Sequence, residues 1–413
     1  MSKRTFHNTL YTNDNLYVLS GMNSESVDLI YLDPPFNSKR MYSAPVGSKA
    51  AGASFKDMWH WSDVDEYYLD ALAVNFPELT RYIASVGKIH SKAMMAYLTY
   101  MSQRIVEMHR VLKSTGSIYL HCDPTASHYL KILLDEIFGK NNFRNEIVWS
   151  YHRWTSVSTA FQGTHDTILF YAKNKKKIEF NVQTEPYSTQ SKHKAKRFTK
   201  ITDGKLIQNY TEDNVREKSM RDVWDISFLN SMSKERTGYP TQKPLVLLHR
   251  IIKASSKEGD IVLDPFCGCA TTCVAAQHLG RKWLGIDIEK QSVNILIERL
   301  TDAQGRLFKD FVATDQIPKR SDIEEVQPSQ SIKQRLYAQQ DGKCNACRQD
   351  FDVRNLEIDH IIPKSKGGGD YYENYQLLCG SCNRIKGDRP MEYLRLKIET
   401  RERMMKNKIF FGE

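Results

Sequence analysis

The chain has 413 residues, 40% of them hydrophobic, with 59 Lys and Arg against 49 Asp and Glu for a formal charge of +10. This length suits two or three soluble domains, and the charge favours a polyanionic partner such as nucleic acid, although a dispersed solvated surface gives the same total. Met1 to Asn15 is polar and lacks the apolar core of a secretory signal, and no apolar run approaches the roughly 18 residues of a membrane span. A cytoplasmic protein is expected, whose eight cysteines serve as ligands or buried thiols rather than as disulfides.

Residues 14–36 read as turn, helix and strand. The apolar run Val27 to Leu32 suits a buried strand, and it ends on Asp33-Pro34-Pro35-Phe36. Proline has no N–H and a fixed φ, so this cluster is rigid and rich in acceptors. It suits gripping an exocyclic amine while a ring stacks on Phe36, although a Pro-terminated strand alone accounts for it as well. Met94, Leu98, Met101, Ile105, Met108 and Leu112 recur at helical spacing. Gly116 is expected to stop that helix before a strand over Ser117 to Leu120. A helix over 126–138 and strands at 147–149 and 167–171 follow, and the alternation implies a mostly parallel sheet.

The pattern changes at Lys173. Residues 173–205 carry nine Lys and one Arg against Glu179, Glu185 and Asp203, a net of +7, interleaved with Phe180, Tyr187 and Phe198. A nucleic-acid contact region is expected, with a solvated insertion as the alternative. The α/β pattern resumes at Leu245. Ile261-Val262-Leu263-Asp264-Pro265-Phe266-Cys267-Gly268 reads as strand and tight loop before a helix. Gly268 allows close approach to a ligand, the helix N-terminus can hold a carboxylate, and Ala270 is expected to keep φ below zero. Asp287 ends a later strand, where an acid can bind a ribose diol.

Together these residues resemble the DNA amino-methyltransferases. Asp33-Pro34-Pro35-Phe36 resembles their catalytic motif, and Asp264-Pro265-Phe266-Cys267-Gly268 their S-adenosylmethionine motif. The segment Glu235 to Pro244 resembles the approach to the latter. The catalytic motif comes first, as in the circularly permuted β class. The resemblance covers roughly residues 5–312 and implies an α/β, Rossmann-like methyltransferase fold. It implies transfer of a methyl group from S-adenosylmethionine to a base amine of double-stranded DNA. An Asp at the motif start favours adenine-N6 over cytosine-N4. Asp33 and the Pro34 carbonyl would accept hydrogen bonds from the amine of a base flipped onto Phe36. Asp264 and Gly268 would border the methionine part of the cofactor and Asp287 the ribose, with Phe266 also among the cofactor-binding residues. Asp14 would contact its adenine, with a plain helix N-cap as the alternative, and Lys243 and Pro244 would line it from the other side. Relatives of this class often dimerise, so a homodimer is an expected partner.

After a linker at 313–330, Cys344-x-x-Cys347 and Cys379-x-x-Cys382 read as a structural Cys₄ zinc site. Between and beyond them, Asp359-His360, Gly367-Gly368-Gly369, Asn374 and Asn383 resemble an HNH nuclease of the small ββα-metal fold over residues 336–390. That resemblance implies His360 as general base, Asp359 and Asn383 as ligands of one Mg²⁺, and Asn374 as the brace of the loop. Lys364, Lys366, Arg384, Lys386 and Arg389 would sit near phosphates. The expected organisation is a methyltransferase catalytic part at 1–172, a target-recognition insertion at 173–236, a cofactor-binding part at 237–312, the linker, and an HNH domain at 331–413. The expected function is site-specific methylation joined to cleavage, a restriction-modification system in one prokaryotic or phage-encoded, nucleoid-associated chain. The alternative is a methyltransferase whose zinc module only binds DNA.

Overall fold

The strands β1 (Thr9–Tyr11), β2 (Val27–Leu32), β3 (Leu112–Cys122), β4 (Phe143–Ser150), β5 (His165–Ala172), β6 (Val223–Asp225), β7 (Ile261–Asp264), β8 (Lys282–Ile286) and β9 (Val312–Thr314) form one sheet in the order 6-4-5-3-2-7-8-1-9. Strand β5 runs antiparallel to both its neighbours, and the other pairings are parallel. The computed structural model describes residues 8–38, 40–45, 47–60, 64, 72–73, 75–152, 159–186, 200–202, 205–207, 217–230, 232–304, 311–366, 368–389, 391, 394 and 397–398.

Strand β2 shows why the sheet is central. Its alternate residues serve two cores: Ile30 and Leu32 face one, Leu29 and Tyr31 the other, and all four are buried. A strand covered on both faces reads as a continuous apolar run. The first face is covered by helices α1 (Asn15–Gly21), α2 (Pro77–Ile89), α3 (Lys92–Val111) and α4 (Ser127–Leu134), the second by α5 (Leu245–Ser255), α6 (Thr271–His278) and α7 (Gln291–Gln304). Helix α3 begins where the Ser91 hydroxyl accepts the Met94 N–H at 3.1 Å, an N-cap.

Gly116 does not stop that helix. Helix α3 passes into β3 at Leu112, and Gly116 lies inside the strand. A Cβ there would stand 2.7 Å from the Asp28 carbonyl oxygen, so the glycine permits close packing on β2. Ala270 also departs from expectation, adopting φ 59° and ψ 32° ahead of α6, a left-handed conformation that costs an L-residue roughly 1–2 kcal/mol.

The basic segment is fastened at its start. The Lys173 ammonium donates to the Leu112 carbonyl at 2.6 Å, the Glu179 and Asn181 amides donate to Thr115 and Ala254, and Phe180 stacks on Phe170. These groups serve the α/β core. Beyond them Thr184–Pro186 pairs with Glu217–Ser219, and β6 adds the sheet's last strand beside β4. Tyr187 and Phe198 lie outside the described residues.

Residues 315–327 form a strap. Asp315 accepts from Asn13, Asp322 from the Ser24 amide, and the Val326 amide donates to the Asp370 carbonyl at 2.7 Å. Beyond it, α8 (Gln330–Gln339), the antiparallel pair β10 (Leu356–His360) and β11 (Tyr375–Cys379), and α9 (Gly380–Lys386) enclose a small core of their own around Leu336, Leu356, Leu377 and Leu378. The last three elements make the ββα unit expected from the sequence.

Candidate active sites

Parallel pairing of β7 with β2, Val262 against Leu29 and Leu263 against Ile30, brings the two Asp-Pro motifs to adjacent strand ends. A cleft of about 460 Å³ opens there, lined by Asp14, Asp33 to Phe36, Lys243, Asp264, Phe266, Gly268 and Asp287 among others. All the expected cofactor residues therefore meet in one place except Pro244, which precedes α5 as its N-cap residue and does not line the cleft.

Asp33 ion-pairs through Oδ2 with the buried ammonium of Lys243, which also donates to the Thr241 carbonyl. Its other oxygen, Oδ1, is buried and accepts no hydrogen bond. A buried acceptor left in this state costs about 1–3 kcal/mol, so the site is complete only when a donor arrives. Lys243, expected beside the cofactor, thus also reaches Asp33. The loop after Phe36 is held by Asp57, whose carboxylate accepts the Asn37 and Ser38 amides at 2.6 and 3.0 Å.

At the end of β7, Asp264 accepts the Phe266 N–H and the Thr272 hydroxyl. Burial, with the charges of Asp33 and Asp287 adding to it, pushes its pKa up to about 7 against those two hydrogen bonds. Asp287 accepts the Gly268 N–H at 2.7 Å and the Glu289 N–H at 2.8 Å, and burial raises it to about 6. Gly268 has φ 49°, and a Cβ on it would lie 3.0 Å from the ring of Tyr239, so that ring closes down on the loop. Asp14 does two things. It caps α1 by accepting the Leu16 N–H at 2.8 Å, and it pairs with the buried Arg104 at 2.9 Å, whose Nε donates to Asn15.

Sequence reasoning missed His121 at the end of β3 and Asp166 near the start of β5. His121 is fully buried with Nδ1 2.9 Å from the Tyr31 hydroxyl and Nε2 3.2 Å from Asp166. The His121-Cys122-Asp123 run ending an apolar strand was the available signal.

In the C-terminal domain the four cysteine sulfurs lie within 4.8 Å of one another, and the Cys379 amide donates to Cys344 Sγ at 3.3 Å. This is the donor set and compactness of a tetrahedral zinc site. Asn374 donates to the Ile362 and Gly369 carbonyls and accepts the Ile362 amide, pinning the loop after His360. His360 Nε2 meets Asp370 at 2.8 Å. The Lys364 ammonium and the His360 and Tyr375 hydrogen bonds hold Asp370 well below the usual carboxylate range. Lys364 is therefore taken up by Asp370. Lys386 is wholly buried, donating to Asp359 and to the His360 carbonyl. Lys386 is thus not free for a phosphate, whereas the Lys364 side chain is 60% exposed in its surface pair. Arg384 is exposed as expected, while the side chain of Lys366 and all of Gly367 lie outside the described residues. Asn383 donates to Glu357 at 2.6 Å, and Gln376 to Asp359.

Residues 27–298 match the family described as DNA methylase, and residues 344–389 that described as HNH endonuclease. The type II methyltransferase M.HpaI of Haemophilus parainfluenzae is 33% identical over 54% of this chain and 64% of its own length. The DNA adenine methyltransferase YhdJ of Escherichia coli K12 is 28% identical over 78% of this chain and 93% of its own. Among solved structures, the cytosine-N4-specific PvuII DNA methyltransferase matches with a TM-score of 0.43 at 15% identity, covering 76% of this chain and 97% of that one.

Proposed function

The chain belongs to the DNA methylase family and carries a C-terminal HNH domain, and from that premise we propose that it methylates adenine-N6 in double-stranded DNA and cuts DNA through the second domain. The observation that carries the first half is Asp33 Oδ1, a buried carboxylate oxygen without a donor at the mouth of the cofactor cleft. The amine of a flipped adenine supplies that donor, with Phe36 beside it for stacking. S-adenosylmethionine supplies the methyl group when bound. Asp264, Gly268 and Asp287 hold it, and Asp33 and Pro34 orient the amine for in-line attack. Alignment of this kind supplies about 7–11 kcal/mol in favourable cases.

In the HNH domain His360 acts as general base on water, with Asp370 fixing its ring. Asp359 and Asn383 offer the oxygen donors that suit Mg²⁺, and the four cysteines hold zinc as a staple. When bound, the magnesium stabilises charge on the scissile phosphate. One observation favours the second reading, a module that binds DNA without cutting: the Lys386 ammonium already neutralises Asp359. The homologous type II methyltransferases support a restriction-modification role.

The test is to incubate unmethylated DNA with the full chain and Mg²⁺, with and without S-adenosylmethionine. Methylation abolished by Asp33→Ala and cutting abolished by His360→Ala are expected. Cutting by His360→Ala equal to wild type removes the nuclease assignment, and transfer by Asp33→Ala at the wild-type rate removes the first site.

A further inference from the structure

Methyl transfer to an amine leaves a proton to dispose of. The N–CH₃ bond forms as the S–CH₃ bond breaks, with the electron pair staying on sulfur, so the amine nitrogen carries one proton too many. Asp33 is the acceptor within reach, and it must release that proton before the next turnover. Lys243 covers Asp33 Oδ2, and a base docked in the cleft that Asp33 lines covers the rest of the carboxylate.

The only imidazole that an ion-pair distance places beside Asp33 among the described residues is His121, with Nδ1 3.7 Å from Oδ1. From there a row of polar groups crosses adjacent strands. His121 Nε2 lies 3.2 Å from Asp166 Oδ2, and Asp166 Oδ1 accepts the Tyr151 hydroxyl at 3.2 Å. The His121 ring is 0% exposed, and the partly exposed Asp166 does not line the cleft, so the row offers Asp33 a second way to water when a base fills the cleft. Topology builds it. Asp33 follows β2, His121 is on β3, Asp166 is on β5 and Tyr151 follows β4, and these strands are neighbours in the order 4-5-3-2. Trp149 and Phe36 pack their rings against the imidazole and fix its plane.

We propose that His121 and Asp166 form the proton exit of the methyl-transfer site. The proposal rests on the methyltransferase reading above. The proton passes from the methylated amine to Asp33 Oδ1 and from there to His121 Nδ1. The Nε2 proton leaves through Asp166 to water, which releases one proton and leaves the imidazole as its Nδ1–H tautomer, reset to Nε2–H by proton exchange with water once the product has left. The Asp166 carboxylate keeps a proton on Nε2, which leaves Nδ1 as the acceptor, now taking the Tyr31 hydroxyl proton in a 2.9 Å hydrogen bond. The 3.7 Å gap to Asp33 is about 0.8 Å longer than an ordinary hydrogen bond, and sites without substrate commonly tighten by such amounts on binding. His121 acts through Asp33, so it is a positioning and relay residue.

The test uses the full chain, unmethylated DNA and labelled S-adenosylmethionine, with His121→Gln and Asp166→Asn, in H₂O and in D₂O. His121→Gln is expected to leave cofactor affinity and the KM for DNA within about twofold of wild type while kcat falls about 100-fold, the usual size of a positioned proton-transfer group. The solvent isotope effect is expected to rise because deprotonation becomes limiting. Asp166→Asn, isosteric and still hydrogen-bonded to Tyr151, should fall in the same direction and decides the matter if His121→Gln loses cofactor binding through misfolding. Undiminished kcat in both variants, or a fall with an unchanged isotope effect, overturns the relay alone. No transfer by the wild-type chain overturns the methyltransferase reading and the relay with it.

Discussion

Cofactor affinity should depend on pH through Asp264. In the free chain its carboxyl titrates at about 7, so at pH 5.5 only about 3% is ionised and at pH 7.0 about half. The methionine part of S-adenosylmethionine is cationic and favours the carboxylate. If binding selects the ionised form, apparent affinity weakens in proportion to the ionised fraction, by about 16-fold between pH 7.0 and 5.5. Asp287, at about 6, adds a smaller effect in the same direction. The sign for stability is opposite. The folded value lies above the ordinary 3.8, so the folded chain keeps a proton that the unfolded chain releases. This group's contribution to stability therefore declines as pH rises from about 4 through 7. Isothermal titration at the two pH values, in buffers of different ionisation enthalpy, measures both the affinity and the proton released. Asp264→Asn should flatten most of the dependence. Equal affinity of the wild type at pH 5.5 and 7.0 refutes the reasoning.

Three further outcomes are expected. Cys382→Ser, or removal of zinc by a chelator, should unfold the C-terminal module, seen as rapid proteolysis beyond residue 330 with methyl transfer retained; a protease-resistant module without metal contradicts the zinc staple. Ala270→Gly should relieve the left-handed strain, roughly 1–2 kcal/mol, against about 0.8 kcal/mol for the lost buried methyl, raising Tm by a few degrees at most; a lowered Tm shows that packing outweighs the backbone. Asp370→Asn should slow cutting roughly 100-fold by freeing the His360 ring, with methylation as the internal control, and unchanged cutting rules out Asp370 as its support.

Much of the first site was legible because its chemistry sits in contiguous runs. Asp33 to Phe36 and Asp264 to Gly268 each carry strand, turn and acid together, and parallel pairing of their strands does the rest. The ββα unit was legible for the same reason, since Asp359-His360 and the paired cysteines bracket it. What remained hidden depends on partners far apart in the chain. His121 and Asp166 look like an ordinary core histidine and a strand-end acid until β3 and β5 are laid side by side. Lys386 read as a phosphate contact but folds onto Asp359, and Lys243, which lines the cleft as expected, has an ion pair with Asp33 that the sequence did not disclose. Gly116 and Ala270 were misread because close strand packing and loop closure outweighed local preference. The charge of 173–205 spoke of a polyanion, yet Lys173 turned out to serve the core.

Asp33 is proposed to direct a methyl group to adenine-N6. Nucleoside mass spectrometry on DNA from a methylation-deficient host expressing either the wild-type chain or Asp33→Ala tests it most directly. N6-methyladenine with the wild type and none with the variant is the result predicted here; N4-methylcytosine without N6-methyladenine, or equal marks from both chains, contradicts it.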